Sequence, residues 1–68
     1  MRIKYFPNTD TAYIEFSGKD VHETKEISEN IYIDIDENGK IVALTIEHAK
    51  ESAGDWEFSY QEMPRKIA

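Results

Sequence analysis

The sequence contains no cysteine. No disulfide can therefore staple the fold. Long apolar runs are also missing, and no stretch approaches the roughly 20 residues that a membrane span needs. Basic residues are few: Lys and Arg number 8 against 14 Asp and Glu, a formal net charge of −6. They are scattered, and Arg65-Lys66 is the nearest thing to a cluster. Nucleic acid is thus not an expected ligand, because phosphate binding runs on clustered Lys and Arg. Met1-Arg2-Ile3-Lys4 leads straight into a strand pattern with no apolar leader segment. Absent cysteine and absent targeting together predict a cytoplasmic protein. Repeats and low-complexity segments are lacking too.

At 68 residues the chain is near the lower limit for independent folding. A domain of this size buries only about 60% of the surface its unfolded chain exposes. Without disulfides, the remaining common supports are a bound metal or a partner subunit. A homodimer, or docking onto another protein, is the expectation.

What is present is strand patterning. Ile31, Ile33 and Ile35 alternate with Tyr32 and Asp34, and Val42, Leu44 and Ile46 alternate with Ala43 and Thr45. A period of two sends one set to a buried face and the other to water. Between the runs, Asn38-Gly39 predicts a two-residue hairpin turn. Upstream, Ile3 and Tyr5 mark a first strand, Pro7-Asn8-Thr9-Asp10 a turn, and residues 11–16 a second strand. Residues 21–27 read as a third strand diluted by His22, Glu23, Lys25 and Glu26. Such charges discourage edge-to-edge aggregation and place it at a sheet edge. The sum is a small all-β fold, a five-stranded antiparallel meander. Its predicted core is Ile3, Tyr5, Ile14, Phe16, Ile31, Ile33, Ile35, Leu44 and Ile46. Residues 48–53 favour one helical turn, stopped by Gly54. The chain divides into a β domain, 1–54, and an aromatic C-terminal extension, 55–68, whose last residues after Pro64 read as a loose tail.

These residues resemble a widespread family of short bacterial proteins, domain of unknown function 2283. The resemblance rests on Tyr5, the turn Pro7-Asn8-Thr9, Asp10 and Tyr13-Ile14. It continues through the acidic segment Glu23-Thr24-Lys25-Glu26-Ile27-Ser28, the hairpin Asp34-Ile35-Asp36-Glu37-Asn38-Gly39-Lys40-Ile41-Val42, and Ala49. It covers roughly residues 1–53 in a layout of short strands and turns. Ala43 and Thr45 depart from it, standing where the family usually has Gly and Glu. No activity and no catalytic residue come with the family. Some members lie beside genes for small toxin-like proteins, which implies an antitoxin-like, partner-binding role.

Chemistry-bearing motifs are incomplete. Asp34, Asp36, Asn38 and Gly39 match the first half of a calcium loop, but position 12, which should be a bidentate Glu, is Thr45. The flanks alternate as strands where helices are needed. His22 and His48 are the only groups suited to proton transfer near neutral pH, and no third metal ligand stands at a defined spacing. With Asp34 and Asp36 they would make at most a weak calcium or zinc site, the alternative functional reading. Ser17, Ser28, Ser52 and Ser59 lack a nucleophile context. The expectation is a non-enzymatic protein-binding module with no cofactor and no metal. Its partner is another protein, a small basic toxin-like one, met by the aromatics Trp56, Phe58 and Tyr60 and by the acidic Glu23 and Glu26.

Overall fold

A computed structural model describes residues 1–66. Five strands and one short helix follow one another: β1 (Arg2–Phe6), β2 (Thr11–Glu15), β3 (Glu23–Ser28), β4 (Ile31–Ile35), β5 (Ile41–Ile46) and α1 (Ala49–Ala53). All four strand pairings are antiparallel. The small all-β class expected from the alternation is what the chain adopts, with β3 at one edge of the sheet.

The strand order is β1-β2-β5-β4-β3. Pairing therefore follows the chain everywhere except between β2 and β3. The connection after β2 first hugs β5, where Val42 C=O accepts the Phe16 and Ser17 N–H groups at 2.7 and 3.2 Å. It then reaches the far edge, where His22 N–H donates to Ile35 C=O at 2.8 Å. Three strand spacings of about 4.8 Å separate β2 from β3, and a seven-residue connection reaches that far with room to spare. Its crossing leaves the central slot to β5, the most apolar strand.

Register sorts the side chains. Ile3, Ile14, Leu44 and Ile33 stand in one row across the sheet, and Tyr5, Ala12, Ile46 and Ile31 in the next. By alternation the other face carries the row Lys4, Tyr13, Thr45, Tyr32 and Glu26, and the row Arg2, Glu15, Ala43, Asp34 and Thr24. One face is apolar and the other polar. The core, however, is thin: among the described residues the buried apolar ones are Ala12, Val42, Ala43 and Ala49, and no large side chain is fully buried. The isoleucines of the predicted core are therefore not enclosed. One sheet has only one layer, and a second layer is what closes a core.

Turn chemistry accounts for the hairpins. In the central one, Gly39 N–H donates to Asp36 C=O at 3.0 Å, and Asp36 N–H to Lys40 C=O at 2.9 Å. Gly39 has φ 78°, while Asn38 is not among the residues of positive φ. The loop is thus three residues, Glu37-Asn38-Gly39, with glycine in the left-handed position, and not the two-residue turn expected. Asp36 selects it: its Oδ1 accepts the N–H groups of both Asn38 and Lys40 at 2.9 Å. The register shifts one step beyond, between Asp34 and Ile35, and this bulge tucks Val42 into the sheet.

Candidate interaction surface

The helix is held by a residue far from it in sequence. Asp10, at φ 54°, ends the first turn. Its Oδ1 accepts Lys50 N–H at 2.9 Å, its Oδ2 accepts Glu51 N–H at 3.1 Å, and its C=O accepts Ala49 N–H at 2.9 Å. These satisfy three of the donors that a helix start leaves open. Tyr5 Oη–H donates to the same Oδ1 at 2.7 Å. The Tyr5 hydrogen bond first, then the Lys50 N–H, holds the Asp10 carboxyl below its usual range. The same bond pushes the Tyr5 phenol up. His48 occupies the N-cap position but makes no capping bond. Its Nδ1 lies 2.9 Å from Glu51 Oε2 on the exposed surface.

This anchor fixes where the C-terminal segment starts. Gly54 N–H closes the helix on Lys50 C=O at 2.7 Å, and Trp56 then meets Tyr5 edge-on, with ring centroids 5.8 Å apart at 74°. Phe58 packs on Trp56 at 4.1 Å and 84°. Lys50 Nζ covers the Tyr5 ring, 4.7 Å from its centroid. No strand forms after Gly54 among the described residues. The aromatic extension is an edge-on pair followed by Tyr60, which is 74% exposed. Trp56 Nε1 is buried without an acceptor. Residues 67 and 68, part of the expected loose tail, lie outside the described residues.

The segment stays beside β1 and β2. An open groove of about 450 Å³ runs between Phe58 and Tyr60 on one side and Ile3, Ile14 and Phe16 on the other. Beyond it the apolar face over β5, β4 and β3 has no cover: among the described residues there is no second sheet and no helix longer than α1. Ile31, Ile33, Ile35, Leu44 and Ile46 are only half-buried. The chain exposes 5794 Å², where a folded monomer of 7.9 kDa exposes about 4,400 Å². Its radius of gyration is 14.1 Å, against about 11 Å for a compact chain of this length.

The polar face is acidic. Glu47, Glu26 and Glu29 surround Tyr32, and their charges, Glu47 foremost, push its phenol up. Tyr13 is pushed up by burial and by Glu15 and Asp34. Thr24 Oγ1–H donates to Asp34 Oδ1 at 2.6 Å.

The residues expected to bind together are dispersed. Trp56, Phe58 and Tyr60 lie at the β1 side, while Glu23 and Glu26 lie on β3, the opposite edge. Glu23 pairs with Ile35 and Glu26 with Tyr32, so the two point to opposite faces. Asp36 is spent on its turn, where the Lys40 N–H above all keeps its carboxyl low. His22 adjoins Asp36 in a groove at one end of β5, and His48 follows the other end. The two histidines therefore do not converge on one cleft. No group of three or more His, Cys, Asp or Glu is placed to hold a metal among the described residues, so the calcium or zinc reading gains no ligand set.

Sequence reasoning missed Asp10, whose partners lie 40 and 41 residues away. It also missed Glu15 and Glu47 as part of the acidic face, although alternation with Ile14 and Ile46 signals both.

Among the described residues the fold defines a single-layer antiparallel β domain. The chain belongs to the family described as protein of unknown function DUF2283, whose model matches residues 2–50. No curated protein and no solved structure matches it. The helix start and its Asp10 cap fall within or at the edge of the matched segment, and the aromatic segment falls outside it. No helix is long and apolar enough to cross a membrane among the described residues.

Proposed function

We propose that the chain is a non-enzymatic protein-binding module that works by burying the apolar face of its sheet against another polypeptide. The observation that carries this reading is the uncovered face over β5, β4 and β3, with half-buried Ile33 and Leu44 at its centre. A contiguous apolar patch of this kind on a small domain marks an interaction surface. Phe58 and Tyr60 extend it at the rim, as aromatics commonly do at interfaces. The net charge of −6 and the acidic outer face favour approach by a basic chain. The gene-neighbour association implied by the family resemblance makes a small basic toxin-like protein the candidate heterologous partner.

The test is capture from the host lysate, followed by mass spectrometry, with the wild type, Ile33→Lys and Thr45→Lys. Ile33 and Thr45 lie on opposite faces. A partner lost only with Ile33→Lys, by at least ~30-fold for a central buried contact, is the expected result. Capture that survives Ile33→Lys undiminished would remove the apolar face from the interaction.

A further inference from the structure

We infer that the apolar face seats a second copy of this chain, giving a two-layer sandwich of two five-stranded sheets. The inference rests on the protein-binding reading and names its occupant.

Area is the first ground. The chain exposes about 1,400 Å² more than a folded monomer of its mass. The extended C-terminal segment carries part of that excess. A standard interface buries about 800 Å² per partner, and the apolar face over β5, β4 and β3 is part of the surface left exposed. The second ground is stability. Among the described residues no large side chain is fully buried, so a second layer completes the core. The only polypeptide certain to be present when the chain folds is another copy. Two sheets stacked about 10 Å apart interleave their inner side chains and supply that layer.

The rim of the face is self-matching. Glu23 and Lys25 stand opposite Ile35 and Ile33 on edge strand β3, so both point to the apolar side. Under a two-fold axis that stacks β3 on β3, Glu23 of one copy meets Lys25 of the other, and the reverse. The remaining strand acids do not oppose the pairing strongly. Glu15, Glu26 and Asp34 point outward, so a sheet pair separates them from their copies by more than the Debye length of about 8 Å at physiological salt.

Self-pairing and binding of a basic partner respond oppositely to salt. Screening weakens the residual repulsion between two acidic chains and weakens attraction to a basic one. Light scattering on a size-exclusion column is therefore run at about 0.05 and 0.5 M salt, with melts over a hundredfold concentration range. The expected mass is twice the 7.9 kDa of one chain, no smaller at high salt. The melting temperature should rise by about 10 °C across the range, the shift for a two-chain unit that unfolds as it dissociates. Ile33→Lys should give monomer and Thr45→Lys should leave the dimer intact. Should Ile33→Lys lose its far-UV circular dichroism, the wild-type concentration dependence decides alone.

A folded wild-type monomer with a concentration-independent melt would overturn the second copy and leave the protein-binding reading standing, the face then being free for a basic partner. A dimer unmoved by both Ile33→Lys and Leu44→Lys would place the interface elsewhere and overturn both readings.

Discussion

Gly39→Ala and Gly18→Ala are one chemical change at two turns, and the structure gives them opposite signs. Gly39 holds φ 78°, and a Cβ added there meets nothing within 4 Å. Its cost is therefore backbone alone, about 1–2 kcal/mol for an L-residue in the left-handed region. Against this, alanine removes conformational freedom from the unfolded chain, which returns about 0.4–1 kcal/mol. The net is a loss of roughly 0.5–1 kcal/mol, or a fall in melting temperature of about 2–8 °C for a domain of this size. Gly18 also has open space at its Cβ, and its φ lies outside the left-handed window. Only the unfolded-state term remains, so Gly18→Ala should raise the melting temperature by a similar few degrees. The assay is a thermal melt by far-UV circular dichroism, at one fixed protein concentration because association would shift every value. Both variants moving in the same direction would refute the assignment of Gly39 to the left-handed position of a three-residue loop.

Other perturbations follow from the same contacts. Asp10→Ala should unravel α1, lowering the melting temperature by about 5 °C as for a lost helix cap, and amide exchange at Lys50 and Glu51 should rise. Asp10 and Asp36 both have lowered folded values, so their contribution is complete above the ordinary carboxylate range near pH 4 and is lost as pH falls through the folded values. Acid melts of Asp10→Asn and Asp36→Asn should be flatter than wild type, and equal slopes would count against it. Tyr5, Tyr13 and Tyr32 are raised, so their contribution holds below about pH 10 and fades above it; Tyr32→Phe should blunt that alkaline loss. Trp56 is the sole tryptophan, and Tyr5→Ala should red-shift its emission by releasing the C-terminal segment; an unchanged spectrum would mean that Tyr5 does not hold it.

The alternation of Ile31, Ile33 and Ile35, and of Val42, Leu44 and Ile46, was enough to read two strands and their inward face, because a period of two is a local property. The diluted pattern around His22 to Glu26 was likewise enough to place β3 at an edge. Two other features depend on distance in the chain. The β2–β5 pairing exists only because the connection after Phe16 carries β3 to the far side, which no window of sequence contains. Asp10 looked like a turn residue, and it is one, but its carboxylate serves backbone groups 40 residues away. Asn38-Gly39 suggested a two-residue turn. The deciding residue was Asp36, whose carboxylate binds the Asn38 and Lys40 amides and stabilises the longer loop. Asp-x-x-Gly was the legible signal.

The candidate surface was harder to read for a different reason. An apolar side chain that faces a core and one that faces a partner obey the same alternation, so Ile14, Ile33 and Leu44 read as core from sequence. What separates the two cases is whether a second layer exists within the chain. Among the described residues, those after β5 make the five-residue α1 and an irregular segment. That segment goes to Tyr5 and the β1 side, because Asp10 fixes the helix start there and Trp56 follows three residues after the helix ends. A segment held at one edge cannot also lie over β4 and β3. The uncovered half of the sheet is thus a consequence of the Asp10 cap, and the same contact that orders the C-terminal segment leaves Ile33 and Leu44 half-exposed.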